Sequence, residues 1–253
     1  MTISQDQIAA YGRDGQVVVE DVVSGAEVEA LRTRTEQIAT GEVNYPRESL
    51  EYEPTAKGDE RSLESLRKIN QPSLDPVLAT HTRHAGILNI VGKLIGPDVK
   101  LFGDQFFIKP PGGIEKTYHQ DSPYFKIEPM ALVTAWTALD DVTLENGCMY
   151  VVPGSQNGGP LEHSEPWMVG GRQDMKIPDS EINFSKERPV TMGAGDVSFH
   201  HSLILHRSGP NNTPQFRRGL AVHYMTARSR WTGDLADKPD YALLRGVEHP
   251  NCV

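Results

Sequence analysis

Apolar positions change their spacing near residue 98 of this 253-residue chain. Before that point they recur at helical intervals. Ser24 and Glu27 form the S-x-x-E pattern of a capped helix start, Val28, Leu31 and Ile38 follow on one face, and Gly41 ends the run. Asp75-Pro76 predicts a second helix start, an N-cap with Pro at the first helical position. A third helix is predicted over Ala85 to Ile95, where Ile87, Leu88, Val91, Leu94 and Ile95 are apolar and Gly96-Pro97 stops it. One early segment, QVVVE from Gln16 to Glu20, reads as a short strand.

From Val99 the runs are shorter and rich in β-branched and aromatic residues: VKLFGDQFFIK, ALVTAWTAL, CMYVV, DVSFH, SLILH and RGLAVHYM, separated by Gly, Pro and Asn. Helices followed by strands predict an α+β domain over 1–253, with a helical part over about 1–97 and a β core over about 98–230. The strands are expected to form a closed or double-sheet architecture. Gly41 to Leu66 and Gly154 to Glu187 show no sustained period and read as loops, the first as a lid. In the last strand, Arg217, Gly219, Ala221, His223 and Met225 alternate with Arg218, Leu220, Val222 and Tyr224. The first set is small near its Arg and leaves room for a ligand. The second is bulky and predicts packing against another layer, with Arg218 free to reach solvent.

Composition narrows the partners. There are 25 basic and 34 acidic residues, giving a net charge of −9. The basic residues are scattered, which argues against nucleic acid and weakly against polyanionic substrates. No apolar run approaches the ~20 residues of a membrane span, and the first residues carry no secretory pattern. The only cysteines, Cys148 and Cys252, are far apart, so neither a disulfide scaffold nor a thiolate zinc site is expected. The expectation is a cytoplasmic protein acting on a small molecule, with no membrane or nucleic-acid partner and an unspecified oligomeric state.

The candidate chemistry begins in KTYHQDSPYF, where His119 and Asp121 are spaced H-x-D. About one His-x-Asp/Glu pair is expected by chance in a chain of this make-up, and the sequence has two. The other, His163/Glu165, sits in a Gly/Pro/Asn-rich stretch with no strand to hold it and reads as surface. The first gains weight from His206, which ends the strand-like run SLILH ahead of Arg217 and Arg218. Two His and one carboxylate make the facial triad of non-haem Fe(II) oxygenases. Of the adjacent His200 and His201, one is expected to pack inward beside the site. His223 reads as a core histidine, His81 and His84 as structural, Trp136 as a core aromatic, and Asn146-Gly147 as a turn. GSQNGG lacks the Lys and the strand-helix context of a phosphate cradle.

Several blocks together resemble the phytanoyl-CoA dioxygenase family of iron- and 2-oxoglutarate-dependent oxygenases. They are YGRDGQVVVEDVVSGAEVEALR, FFIKPPGG…HQD, AWTALDDVTLENGCMYVVPGSQ and GAGDVSFHHSLILHRSGPN through FRRGL, in the family's order. Gln156 stands where a His is commoner. The resemblance implies a double-stranded β-helix (jelly-roll, cupin-like) core with N-terminal helices packed on it. It implies His119, Asp121 and His206 as ligands of Fe(II), and Arg217 as the clamp for the distal carboxylate of 2-oxoglutarate. Ser208, Trp136, Gln105 and Lys68 are implied as further cosubstrate contacts. The activity it implies is hydroxylation of an unactivated C–H of a small organic substrate, using O₂ and releasing succinate and CO₂. Desaturation or ring formation by the same machinery, a non-catalytic jelly-roll binding protein and a zinc hydrolase are the alternatives. Related halogenases lack the carboxylate ligand, so Asp121 argues for oxygenation.

Overall fold

The computed structural model describes residues 2–52, 62–123, 125–169 and 172–253. Among them are four α-helices: α1 (Gln5–Asp14), α2 (Gly25–Thr40), α3 (Leu78–Thr82) and α4 (Ala85–Ile95). The strands of the first half are β1 (Gln16–Val19), β2 (Leu50–Tyr52), β3 (Leu66–Asn70), β4 (Val99–Lys109), β5 (Lys116–His119), β6 (Ile127–Glu128) and β7 (Leu132–Ala138). The second half adds β8 (Met149–Val151), β9 (Glu165–Val169), β10 (Arg172–Lys176), β11 (Arg188–Val190) and β12 (Val197–His201). It ends with β13 (His206–Ser208), β14 (Arg217–Thr226), β15 (Arg230–Trp231) and β16 (Leu243–Arg245).

Two antiparallel sheets face each other. The major one runs β1-β12-β7-β14-β4-β3-β2, with β16 also on β4, and the minor one β11-β8-β13-β5. This is the double-stranded β-helix. Three of its strands come from the first 97 residues, so the N-terminal part is a helical layer and a sheet edge at once. No described helix is long and apolar enough to cross a membrane.

The capping box of α2 forms as the sequence predicts. Ser24 Oγ accepts from the Glu27 N–H, Glu27 accepts from the Ser24 N–H, and Gly41 closes the helix at φ 79°. The buried residues of α1, α2 and α4 (Tyr11, Val28, Leu31, Ile38, Ile87, Ile90) pack on one face of the major sheet, against Phe106, Phe199, Leu220, Val222 and Tyr224. Burying such side chains stabilises by about 1.5–3 kcal/mol each. Because side chains alternate along a strand, the other face turns Arg217, Ala221, Trp136 and Gln105 toward the minor sheet.

Several local expectations differ from the structure. Asp75 does cap, accepting from the Val77 and Leu78 N–H groups, but the helix it starts begins at Leu78 and lasts five residues. Ser202 to Leu205 is a buried turn rather than a strand, and His206 opens β13 instead of ending a run. The turn is apolar because it crosses between the sheets. Gly154 to Glu187 holds the hairpin β9–β10, whose strands lie largely exposed and so show no period. Of Gly41 to Leu66, Leu50–Tyr52 pairs with β3, and residues 53–61 of the expected lid lie outside the described residues. Arg218 is not free. It clasps Asp140 through Nε and Nη2 at 2.9 Å each and bonds Glu36 at 2.8 Å.

Arg32 reaches the same Asp140 carboxylate at 3.1 Å, so one acid ties α2 to the start of β14. Asp140→Ala removes the acid that both guanidinium groups share, leaving Arg218 with Glu36 and Arg32 with Glu29 and the Leu139 carbonyl, and is expected to lower the unfolding free energy by about 2 kcal/mol. A shifted denaturant midpoint with an unchanged slope would show it.

Candidate active site

A cavity of about 680 Å³ opens between the two sheets. His119 closes β5 and His206 opens β13, and the two are direct cross-strand partners with ring centroids 4.1 Å apart. Asp121 lies two residues past His119, and its N–H donates to Ser202 O at 2.9 Å. Each imidazole donates Nδ1–H to the carbonyl two residues before it, Thr117 O at 2.9 Å and Ile204 O at 3.0 Å. A carbonyl only accepts, so the proton sits on Nδ1 and the Nε2 lone pair is left for the centre. Asp121 Oδ1 stands 3.5 Å from His206 Nε2 and 3.9 Å from His119 Nε2. One ligand atom from each of the three residues falls within 4.8 Å of the others.

Burial drives His119 well below its ordinary range, and His206 and Lys116 add to the effect. Burial alone would raise Asp121, but the surrounding histidines outweigh it and hold the carboxyl well below the usual range. Two imidazole nitrogens and a carboxylate are the donor set that a borderline divalent ion such as Fe(II) takes. The residues therefore fit that metal.

The other predicted residues line the same cavity: Arg217, Ser208, Trp136, Gln105 and Lys68. Arg217 is buried at 7 % exposure, its guanidinium 5.3 Å from the Trp136 ring centroid. Its Nε has no hydrogen-bond partner, and among the described residues no carboxylate lies within ion-pair distance of it. Burial pushes it down to about 10, with Cys148 and Asp140 opposing. Ser208 Oγ accepts from Lys109 Nζ at 2.9 Å. Lys68 sits 3.4 Å from Glu51 and over the Phe107 ring. Gln105 pairs in register with Ala221 of β14.

His200 packs inward, its Nε2 3.5 Å from Asp121 Oδ2, while His201 accepts from the Leu203 N–H. His163 is half-buried rather than surface, since Nε2 accepts from the Gln120 N–H at 3.1 Å. His81 and His84 are structural as expected: one bonds Thr137, the other caps α4. Among the cavity residues that the sequence does not single out are Lys109, Thr134 and Trp167. Lys109 precedes a Pro-Pro turn, Thr134 sits within an apolar strand, and Trp167 lies in a stretch without period. Nearby, Gln120 braces the loop. It donates to Gly159 O and Leu203 O and accepts from the Leu161 N–H.

A family model described as Phytanoyl-CoA dioxygenase (PhyH) matches residues 11–219. The chain belongs to the phytanoyl-CoA dioxygenase family. It is 31 % identical over 234 residues to a probable phytanoyl-CoA dioxygenase of Caenorhabditis elegans, covering 88 % of this chain and 75 % of that one. It is 30 % identical over 241 residues to the human protein named peroxisomal phytanoyl-CoA dioxygenase, covering 89 % and 69 %. Among solved structures, the epimerase SnoN, in complex with Fe3+, alpha ketoglutarate and nogalamycin RO, superposes with a TM-score of 0.71 at 23 % identity. That match covers 95 % of this chain and 98 % of SnoN, and it shows the shared fold.

One packing constraint of this phytanoyl-CoA dioxygenase relative is open to test. A Cβ on Gly219 would lie 1.9 Å from Trp136 Cζ2, so the strand needs glycine there for the indole to lie flat beneath Arg217. Gly219→Ala is expected to displace the indole and cost about 1–3 kcal/mol through overpacking. Denaturation together with tryptophan emission would report both effects. Wild-type values in both would mean the indole is not held there.

Proposed function

We propose that this protein is an Fe(II)- and 2-oxoglutarate-dependent dioxygenase that hydroxylates an unactivated C–H of a small organic substrate. The observation that carries the reading is Arg217. A buried guanidinium without a carboxylate is unfavourable, and this one shares a cavity with a two-histidine, one-carboxylate donor set. A dicarboxylic keto acid answers both needs. It chelates a metal at one end and presents a carboxylate to a fixed cation at the other, where the planar fork of Arg pairs bidentately. Family membership supports the same reaction class.

In this reading His119, Asp121 and His206 hold the iron. Arg217 grips the distal carboxylate of 2-oxoglutarate, with Ser208 as a further donor and Trp136 as the wall beneath the guanidinium. Gln105 and Lys68 complete the lining. Bound there, Fe(II) with 2-oxoglutarate supplies O₂ activation coupled to decarboxylation of the keto acid to succinate and CO₂. The protein's share is placement and shielding. The two Nδ1–H···O=C bonds fix both imidazole rings, and the hairpin β9–β10 brings Trp167 over the cavity to keep water from it. Retention of Asp121 favours transfer of oxygen over halide.

Arg217→Ala should remove a charge-assisted pair worth ~2–5 kcal/mol. The apparent 2-oxoglutarate requirement should then rise by roughly 30-fold or more, while Arg218→Ala leaves it nearly unchanged. Succinate formation followed against 2-oxoglutarate reads both. Succinate should appear with Fe(II) and not with Zn(II), and Asp121→Ala should abolish it. Turnover supported by Zn(II) without succinate would point to a hydrolase instead.

A further inference from the structure

We infer that Thr134 and His223 form a hydrogen-bond relay that anchors one oxygen of the Asp121 carboxylate and so aims the other at the two imidazoles. The inference rests on the reading of His119, Asp121 and His206 as metal ligands. His200, Thr134 and His223 lie directly opposite one another on the neighbouring strands β12, β7 and β14. They form one row on the cavity face of the major sheet. Thr134 Oγ1 is 2.9 Å from Asp121 Oδ2 and 2.8 Å from His223 Nδ1.

The directions of these bonds follow from a count of hydrogens. A carboxylate oxygen only accepts, so the single hydroxyl hydrogen of Thr134 goes to Oδ2. The hydroxyl oxygen must then accept from His223, which places the ring proton on Nδ1. His200 approaches the same oxygen, with Nε2 at 3.5 Å. Its Nδ1 is buried with no partner among the described residues, so Nε2 is the nitrogen with an acceptor in reach. Thr134, His223 and His200 thus all act on Oδ2, while Oδ1 faces His206 and His119.

Asp121 needs this help. It sits past the end of β5, in no strand, so no ladder fixes its side chain. The terminal torsion of a carboxylate is broad, and unanchored rotation would swing both oxygens out of line with the imidazoles. Thr134 is 1 % exposed in the middle of β7, and its β-branch restricts χ1, so the hydroxyl is a stiff anchor. Outer hydrogen bonds of this kind typically change metal affinity by 10–100-fold. Thr134 and His223 are positioning residues, acting through Asp121.

The test is Co(II) titration of the purified full chain, read by the visible absorption of the bound ion and needing no substrate. Thr134→Val keeps the shape and removes the hydroxyl, and Thr134→Ser restores it. His223→Leu removes the ring donor, and His223→Asn keeps an N–H near the Nδ1 position. Thr134→Val and His223→Leu are expected to weaken Co(II) about 10–100-fold and shift the absorption bands. Thr134→Ser and His223→Asn should stay within a few-fold of wild type. Melting of the apo proteins identifies any variant that fails to fold, and the remaining pair then decides. Wild-type affinity and spectrum in both Thr134→Val and His223→Leu would overturn the relay. Equal Co(II) binding by wild type and Asp121→Ala would instead overturn the ligand assignment on which it rests.

Discussion

The site depends on the turn from Ser202 to Leu205, where the chain leaves the major sheet for the minor one. A turn buried this deeply has to satisfy its own backbone groups. It does so with the atoms that build the centre. Ser202 O accepts from the Asp121 N–H, Leu203 O from the Gln120 amide, and Ile204 O from the His206 ring. Leu205 N–H donates to Ser155 Oγ, and Leu205 O accepts from the Val152 N–H. The hydrogen bonds that close the turn also aim the candidate ligands. An apolar crossing and a polar site are therefore one construction.

Alternation along strands does the rest of the sorting. Arg217 and Arg218 are adjacent, but one faces the cavity with no carboxylate partner among the described residues and the other faces the helices in a bidentate pair with Asp140. The same charge has two jobs, set only by which side of β14 it occupies. The paired arginine anchors a layer, and the unpaired one leaves a cation for something else to neutralise. On the cavity face, the row from His200 through Thr134 to His223 lies under Asp121 and continues to Gly103 of β4. Strand register thus delivers four positions to one spot from residues far apart in the chain.

Much of this was legible in the sequence. The α2 capping box, the α4 helix, the face of Arg217 and the His119/Asp121/His206 set follow from local spacing, strand alternation and family resemblance. These signals survive because each is fixed by a short-range rule or by a block pattern. What failed did so for physical reasons. SLILH is apolar because it is buried, and burial alone does not distinguish a strand from a turn. The hairpin strands EPWMV and RQDMK lie largely exposed on both sides, so nothing selects an alternating pattern. Thr134 looks like any β-branched residue in a strand, and only the register shows what its hydroxyl meets. Arg218 was expected in solvent because the acid that claims it, Asp140, lies 78 residues away.

The hairpin β9–β10 forms a two-stranded sheet of its own, outside both main sheets. It is joined to the core by side chains such as the Lys116–Asp174 pair, and it offers Trp167, Gln173 and Asp174 to the cavity while Met168 and Met175 stay exposed. None of the registers that align His119, His206 and Arg217 passes through it. A change in this short ribbon would therefore alter one wall of the cavity without touching the strand pairings that align those residues. The alignment of the candidate ligands and this wall of the cavity are carried by separate parts of the chain.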